Sequence, residues 1–418
     1  MKAASPLPTS TLSFQEYRER TFARDELAKD VGMALWEGFS KQFTVDFPSP
    51  ANGHRWSITP GGWVGHVALG KSHAVRIEPK VPIGSLFQML EYAYGLKAFR
   101  FSDRLVGTGS IDDFFSQLAR LLAQSVLRRA QRGLFRTYES RGERLSFIRG
   151  RMDLHDALRR PHDVRRQCVF QENTADIPDN QILLWAMRRI LRVPTLSGEA
   201  RRDVQQAYRT LAGVTSLVPF TGKDCRGRLY NRLNADYQPL HALCGFFLDH
   251  TGPVHETGGR SAIPFLINMW ELFEGFVAAW LTERLPADLV LEEQVEGHYD
   301  HGKHVGYRID LMISEANSGK PLMVLDTKYK DVRFPKPEDV AQVVSYAVKQ
   351  DAQRALLIYP GSAATYDFNV GPVTVTSIFL PLEDPRAGAA HVLDDILTHL
   401  GPAPTTRAPG AVPQEIVP

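Results

Sequence analysis

Two acidic residues and a lysine lie close together in the stretch from Tyr307 to Lys328. In the run YRIDLMI, apolar and polar residues alternate, which predicts a strand with Asp310 on the face opposite Ile309. The run PLMVLDTKYK predicts a second strand, on which Asp326 and Lys328 share a face because they are two residues apart. Carboxylates suit a hard cation such as Mg²⁺, and an ammonium group suits the orientation or deprotonation of water. The pattern therefore indicates metal-assisted phosphodiester hydrolysis.

The helix predicted behind these strands carries Gln342 and Tyr346, four residues apart on one helical face. The order Asp310, Asp326, Lys328 is similar to the PD-(D/E)xK nuclease motif, and Gln342 with Tyr346 resembles the QxxxY element of the nuclease branch that includes RecB. The alternative is an exposed strand end with solvated charges, because a D-x-K pattern alone is weakly specific. All these elements occur in order and close together, which favours a nuclease with Gln342 and Tyr346 in its catalytic set.

A third candidate carboxylate lies on a helix that is predicted to begin at Pro264. This helix has an apolar stripe, with Glu274 at its border and Glu271 further away. Glu274 is either the structural partner of a buried cation or a third acidic group of the metal site. Because the helix immediately precedes the Asp310 strand, we favour the second interpretation. The predicted metal ligands are therefore Asp310, Asp326 and Glu274, and Glu274 joins the catalytic set.

The composition is that of an ordinary globular protein with two or three domains in 418 residues. The formal net charge is only +2, so a local basic patch or a partner must supply most of the affinity for nucleic acid. The cysteines, Cys168, Cys225 and Cys244, are far apart and predict neither disulfides nor a zinc or iron–sulfur cluster. No signal peptide or membrane span is predicted, so a cytoplasmic protein is expected.

Changes in hydrophobic periodicity predict a multidomain α+β or α/β protein. Helical spacing is found over residues 14–43, 84–99 and 111–133, and alternation over residues 56–81 predicts a small antiparallel sheet. The predicted regions are an N-terminal mixed sheet-and-helix domain (1–105), a mainly helical basic region (106–255), an α/β domain with the candidate site (256–400) and a disordered Pro/Ala-rich tail (401–418).

One competing motif lies inside the predicted antiparallel sheet. Residues Gly65 to Ser72 fit the phosphate-loop formula G-x-x-x-x-G-K-[ST]. A phosphate loop runs from a strand into a helix, whose first amides face the phosphates. Here the motif is followed by HAVRIEPKVP, which alternates and contains two prolines. The sequence therefore favours strand, turn and strand, with Lys71 as an exposed turn residue, and GTP or ATP binding by the isolated chain would revive the nucleotide hypothesis.

Residues 128–166 are densely basic, with aromatic residues between the arginines. Such a run is either a solvated face or a surface for nucleic acid or an acidic partner. We favour the second interpretation slightly, and Arg136, Arg149 and Arg151 are the candidate contacts with DNA or a partner.

Blocks along nearly the whole chain resemble the McrC family, the nuclease subunit of McrBC modification-dependent restriction systems. The blocks that carry the resemblance are WVGHVALGKSHAVRIEPKVPIGSLFQMLEYAY, GLFRTYESRGERLSFIRGRMDL, CVFQENTADIPDNQILLWAM, LNADYQPLHALCGFFLD and NMWELFEGFV. Each block is moderately specific, and their order carries the assignment. Glu274, Asp310, Asp326 and Lys328 match the catalytic positions of the family, although LDTKYK stands here where an Asp-Ala-Lys sequence is common.

The resemblance implies a PD-(D/E)xK nuclease domain at 256–400 that cleaves double-stranded DNA with Mg²⁺, which Mn²⁺ can replace. It also implies a hexameric McrB-like AAA+ GTPase as partner, which binds GTP and recognises modified DNA while the N-terminal part of this chain stimulates GTP hydrolysis. Two alternatives remain open from the residues. The chain is a non-cleaving activator or scaffold of the GTPase, or a free-standing RecB-like nuclease.

Overall fold

The computed structural model describes residues 10–69, 73–99, 109–252, 255–257, 260–300, 302–330 and 332–400. The predicted disordered tail and Lys71 lie outside these residues. The described residues group into two compact units. The first contains the residues up to Gly84 together with Tyr94–Asn268, and the second contains Ser85–Ala93 together with the residues from Met269 onward. The units are defined by contacts within the chain, so the division into three functional regions stays a prediction.

Strands and helices alternate irregularly along the chain. The first elements are β1 (Ser10–Gln15), β2 (Arg20–Phe22), α1 (Lys29–Gly38), β3 (Phe43–Asp46), β4 (Trp56–Pro60), β5 (Trp63–Leu69), β6 (His73–Glu78), α2 (Ile83–Ala93) and α3 (Ile111–Gln131). The next are β7 (Thr137–Leu145), β8 (Arg151–Met152), α4 (Leu154–Arg159), β9 (Arg166–Thr174), α5 (Pro178–Ile190), α6 (Gly198–Ala212), α7 (Tyr237–His250), β10 (His255–Thr257), β11 (Arg260–Ala262) and β12 (Phe265–Asn268).

The remaining elements belong to the second unit. They are α8 (Met269–Thr282), β13 (Leu289–His298), β14 (Gly306–Glu315), β15 (Pro321–Thr327), α9 (Pro337–Lys349), β16 (Arg354–Pro360), β17 (Tyr366–Val370), β18 (Val373–Leu380) and α10 (Pro385–Leu400). Together with the first unit, they confirm the mixture of helices and several sheets that the sequence predicts.

The first unit is built on separate sheets and a group of helices. One sheet has the strand order β1-β6-β5-β12, with β1 and β6 parallel, and a second has the order β2-β4-β3. Phe14, Leu35, Trp56 and Ile77 belong to the apolar core of these strands and α1. Helices α3, α5, α6 and α7 pack on one another further along the chain.

The predicted helix over residues 14–43 is wrong at both ends. Only Lys29–Gly38 is helical, and the flanking segments are the strands β1, β2 and β3. Phe14 and Phe43 are buried, and their rings pack edge to face. Pairing with strands that follow later in the chain, and burial of these rings, override the helical spacing.

The phosphate-loop-like motif begins inside the strand β5, and residues 70–72 lie outside the described residues. β5 and β6 pair antiparallel, and the residue after the motif, His73, already belongs to β6. Gly65 has φ of +143°, and a Cβ atom there would lie 2.0 Å from the carbonyl oxygen of Phe265 in β12. The first glycine of the motif is therefore needed for close approach of two strands. A helix that could receive a phosphate does not follow the motif, because β6 does.

The second unit is organised around one long sheet. Its strand order is β13-β14-β15-β16-β18-β17. The pairs β13–β14 and β14–β15 are antiparallel, whereas β15–β16 and β16–β18 are parallel. Parallel neighbours need a crossover connection, and α9 supplies it between β15 and β16. The carboxyl end of β15, where Asp326 lies, therefore points toward the loop that enters α9.

The helix predicted to begin at Pro264 begins five residues later. Phe265–Asn268 form β12, which pairs antiparallel with β5, and α8 starts at Met269. The run is apolar enough for either a helix or a strand, and it forms a strand because it pairs with the edge of β5. None of the helices within the described residues is long and apolar enough to cross a membrane.

Candidate active site

Two aspartates face each other across the antiparallel strands β14 and β15. Leu311 pairs with Leu325, so Asp310 and Asp326 follow this pair on adjacent strands. Directly opposed residues point to the same side of a sheet and have Cβ atoms about 4.5–5.5 Å apart. The backbone amide of Thr327 donates a hydrogen bond to Asp310 Oδ2 at 3.2 Å. The sheet therefore holds both carboxylates on one face.

Lys328 contacts the second of these aspartates. Its Nζ lies 2.7 Å from Asp326 Oδ2, and the Asp326 side chain is only 1% exposed. Burial raises the pKa of Asp326 to about 7, the negative charge of Asp310 adds to the rise, and Lys328 opposes it. Burial alone would lower the pKa of Lys328, but the charge and hydrogen bond of Asp326, together with the charges of Asp310 and Asp339, outweigh burial and raise the pKa. The amide of Lys328 donates to the carbonyl of Ile358 in β16 at 2.9 Å, which fixes the strand end.

Glu274 lies on α8 in the electrostatic field of the same aspartates. Its half-buried carboxylate accepts a hydrogen bond from the Gln294 side chain of β13. Burial raises the pKa of Glu274 to about 7, and the charges of Asp310 and, more weakly, Asp326 add to this rise. Glu271, on the same helix, is exposed. The structure thus brings Glu274, Asp310 and Asp326 into one acidic environment.

Gln342 and Tyr346 lie side by side on α9. Gln342 Nε2 donates to the Tyr346 hydroxyl oxygen at 2.8 Å. The Tyr346 ring packs 5.7 Å from the Tyr307 ring of β14, and Tyr307 packs 4.8 Å from Tyr299. Burial raises the pKa of Tyr346, and the charges of Asp326 and Lys328 also act on it. The pair therefore lies near the aspartates and braces α9 against β14.

The acidic site suits a hard cation by its donor atoms. Mg²⁺ is typically held by one or two carboxylates, with waters and substrate phosphates completing the shell. Asp310 and Asp326 supply such oxygens, and the raised pKa values of Asp326 and Glu274 show that a nearby positive charge would be favourable. Within the described residues, no group of three or more His, Cys, Asp or Glu side chains is arranged as a metal cluster. The carboxylates of Asp310 and Asp326 are therefore the donors that this site offers to a cation.

A protein-family comparison decides the family of this chain. The family model described as McrBC 5-methylcytosine restriction system component matches residues 58–360. The chain belongs to this family. The matched range contains Glu274, Asp310, Asp326, Lys328 and the Gln342–Tyr346 pair, and it confirms the family that the sequence resembles.

Two relatives extend this result. The Escherichia coli (strain K12) protein described as type IV methyl-directed restriction enzyme EcoKMcrBC is 24% identical over 308 residues, which cover 68% of this chain and 87% of the relative. One chain of a refined half-complex from a tetradecameric assembly of Thermococcus gammatolerans McrB AAA+ hexamers with bound McrC is 19% identical with a TM-score of 0.59. That match covers 93% of this chain and 100% of the other, and it shows a shared fold.

The basic stretch of this McrBC family member forms a sheet that the sequence did not predict. β7, β9 and β8 pair in that order. Much of its positive charge is neutralised within the chain, because Arg144 pairs with Asp156 and Asp163 and Arg141 pairs with Glu172. Charged residues lie on both faces of β7, none of whose positions is buried, so apolar and polar residues do not alternate there.

The three candidate contact arginines lie on or beside this sheet. Arg136 donates to the carbonyl oxygen of Asn173 at 3.3 Å, and the Arg149 guanidinium lies 3.9 Å from the centre of the Phe170 ring. Arg151 is exposed on β8. All three belong to the first unit, whereas the acidic site belongs to the second. Their contact with DNA or a partner stays a prediction.

Sequence reasoning missed a second ion pair beside the site. Lys330 Nζ lies 2.6 Å from Asp339 Oδ1, and the Tyr359 hydroxyl donates to Asp339 Oδ2 at 3.0 Å. Asp339 is buried, and its charge contributes to the raised pKa of Asp326. In the sequence, Asp339 has the ordinary pattern of an acid in the first turn of a helix. Its distance from Lys330 along the chain matches no periodic pattern, so only the fold reveals the contact.

Proposed function

We propose that this chain is the nuclease subunit of an McrBC-type restriction system, which hydrolyses phosphodiester bonds of foreign, modified DNA. The observation that carries the proposal is the pair of opposed aspartates on β14 and β15, with Lys328 in contact with Asp326. Membership of the restriction-system family supports the biological setting. The order of strands β14, β15 and β16, with α9 as crossover, supports a PD-(D/E)xK nuclease domain.

Asp310 and Asp326 would hold Mg²⁺, and Mn²⁺ would be able to replace Mg²⁺. Glu274 forms no three-carboxylate group with them among the described residues, so it would add negative charge near the cation. The bound cation would stabilise the negative charge that develops on the phosphate. Because the pKa of Lys328 is raised, its ammonium group keeps its proton at neutral pH and acts as a hydrogen-bond donor. Of the two roles predicted for Lys328, this favours orientation of the water or phosphate over deprotonation. Thr327 holds Asp310 in place through its backbone amide.

We further propose an AAA+ GTPase hexamer as the partner, which binds GTP and whose GTP hydrolysis this chain stimulates. The solved assembly that shares its fold contains McrB AAA+ hexamers with bound McrC. The strand β6 directly after the phosphate-loop-like motif agrees with a nucleotide bound by the partner. Specificity for a modified base would then lie mainly in the partner.

The decisive experiment is DNA cleavage by the chain reconstituted with its GTPase, GTP, Mg²⁺ and modified DNA. Asp326→Asn and Lys328→Gln should each lower the cleavage rate by roughly two or three orders of magnitude, because each removes charge stabilisation in the transition state. Glu338→Gln, an exposed acid in the first turn of α9, is the matched control and should cleave normally. Stimulation of GTP hydrolysis should be unchanged in all three variants.

The other hypotheses give different results in this assay. A wild-type assembly that stimulates GTP hydrolysis but never cuts DNA would be an activator or scaffold. Cleavage by the isolated chain at the same rate, without GTPase or GTP, would indicate a free-standing RecB-like nuclease. If Asp326→Asn abolished both DNA cleavage and the stimulation of GTP hydrolysis, the substitution would be disturbing the fold.

A further inference from the structure

The loop between β15 and α9 begins at the candidate active site and is fastened at both ends. We call residues 328–336 the β15–α9 loop; residue 331 lies outside the described residues. Lys330, near its start, pairs with Asp339 in the first turn of α9 at 2.6 Å. The indole Nε1 of Trp270 donates to the carbonyl oxygen of Tyr329 at 3.0 Å. The two ends of the loop are therefore held together.

The described part of this loop presents one aromatic side chain to solvent. Phe334 is 61% exposed, although it is a large apolar residue. Its neighbour Val332 is partly buried and packs against the core of the unit, but Phe334 does not belong to that core. The ring instead lies 5.2 Å from the Tyr366 ring of β17, with an angle of 51° between their planes. Tyr366 itself packs against the core, so one side of the Phe334 ring rests on a residue that is held in place.

Positive charges flank this exposed ring. Arg333 and Lys336 are both exposed, one residue before and two residues after Phe334. Lys336 is 4.0 Å from Glu338, a surface pair of little energetic weight. An exposed aromatic ring with cations on both sides is the arrangement by which proteins hold a nucleobase and its neighbouring phosphates. A protein partner with an acidic, apolar segment is the competing occupant.

The position of the ring favours DNA over a protein partner. Six residues separate Lys328 from Phe334, and an extended chain spans at most about 3.5 Å per residue. The ring is therefore within roughly 20 Å of Lys328, which is about six nucleotide steps along a DNA strand. A chain that cuts DNA at Asp326 must pass the substrate strand close to this loop.

We propose that Phe334, supported by Tyr366, stacks on an unstacked nucleobase of the DNA substrate within about six nucleotides of the cleaved bond, while Arg333 and Lys336 contact neighbouring phosphates. The inference rests on the proposed function. The faces of bases inside an intact duplex are covered by their neighbours, so the platform takes a base from DNA that is locally unstacked or frayed at the site of cleavage. The proposal therefore specifies that the DNA substrate is locally unstacked, as well as which residues contact it.

The experiment uses the full chain with its GTPase partner, in an Asp326→Asn background so that Mg²⁺ and GTP can be present without cleavage. The probe is a modified duplex with one fluorescent adenine analogue, whose emission falls when it stacks on an aromatic ring, at successive positions around the cut. The analogue is already dim inside a duplex and brightens when it is unstacked, so quenching here means lower emission with Phe334 than with Phe334→Ala at the same position. We expect such quenching at one position and roughly 5- to 100-fold weaker binding in Phe334→Ala, the range found for one stacked base. Phe334→Trp should keep both. Arg333→Gln should keep the quenching and lower the slope of log affinity against log salt by about 1.

The matched control is Val348→Ala, which removes an exposed apolar side chain from α9 of the same unit. It should leave affinity and quenching unchanged. The inference is overturned if emission is the same with Phe334 and with Phe334→Ala at every position of the probe. It is also overturned if Phe334→Ala weakens association with the GTPase and leaves DNA binding unchanged, since that would identify a protein contact. An assembly with Asp326 restored that shows quenching but never cleaves would refute the proposed hydrolysis and leave the stacking inference standing.

Discussion

At Asp326, burial and the charge of Asp310 both favour the protonated carboxyl group, and Lys328 opposes them. Burial and the charges of both aspartates likewise favour the protonated carboxyl group of Glu274, which is half-buried. A chain that kept such residues for stability alone would gain more from apolar side chains of similar size. The unfavourable burial of these carboxylates is explained if a cation and a phosphate group share the site during the reaction.

The role of Glu274 can be separated from that of its neighbour on the same helix. Glu274→Gln keeps the size of the side chain but removes a negative charge near Asp310, and we expect cleavage to fall by about tenfold to a hundredfold. Glu271→Gln changes an exposed carboxylate and should leave cleavage unchanged. Rates measured over a series of Mg²⁺ concentrations check this, because a lost ligand raises the concentration needed for half-maximal rate. Equal rates for both variants would contradict a functional role for Glu274.

At the level of elements, local sequence patterns predicted the two strands that carry Asp310 and Asp326 better than several strands elsewhere in the fold. Alternation in YRIDLMI predicted β14, and the continuous apolar run before Asp326 predicted β15. Both strands lie inside the sheet and are buried on both faces at their centres, which suits a continuous apolar run. The last two residues of β1 and the strands β2 and β12 were predicted as helix. Each of them pairs with a strand that is distant in the sequence, and no local pattern contains that partner. The ion pair of Lys330 with Asp339 was missed because its spacing along the chain matches no helix or strand period.

Gly65 gives a test at this level, because it allows β5 and β12 to approach. In Gly65→Ala the new methyl group meets the carbonyl oxygen of Phe265, and the backbone must keep a φ of +143°. We expect the free energy of unfolding to fall by about 2 kcal/mol or more. Gly38→Ala, at the end of α1, meets no atom within 4 Å and should change stability by less than about 0.5 kcal/mol. Urea unfolding of both variants checks this, and equal stability would mean that β12 does not pair as described.

At the level of the whole molecule, buried histidines make the first unit sensitive to acid. His250 is buried, its Nε2 lies 2.9 Å from the Tyr94 hydroxyl oxygen, and its Nδ1 lies 3.2 Å from the Leu266 carbonyl oxygen. Burial lowers the pKa of His250 from 6.5 to about 4, and burial also lowers the pKa of His66 to about 4. In both cases the folded chain holds the neutral ring where the unfolded chain would bind a proton.

The direction of the pH dependence follows from these pKa values. Between pH 6.5 and about 4 the unfolded state binds a proton that His250 does not bind in the folded state, so stability is full above this window and is lost as pH falls through it. The loss from His250 is at most about 3 kcal/mol. His250→Gln should be less stable at neutral pH but should lose less stability on acidification. Urea unfolding at neutral pH and at pH near 5 checks this, and an unchanged pH dependence would contradict it.

The second unit takes Ser85–Ala93, most of α2, from the middle of residues that otherwise belong to the first. Leu86, Phe87, Met89 and Leu90 of this helix are fully buried in the finished protein. On the ribosome, these side chains emerge long before the strands and helices of their own unit, which begin at Met269. Because synthesis proceeds at about 5–20 residues per second, the apolar face of α2 remains without its packing partners for on the order of tens of seconds. During synthesis, this helix therefore exposes an apolar face to which a chaperone can bind.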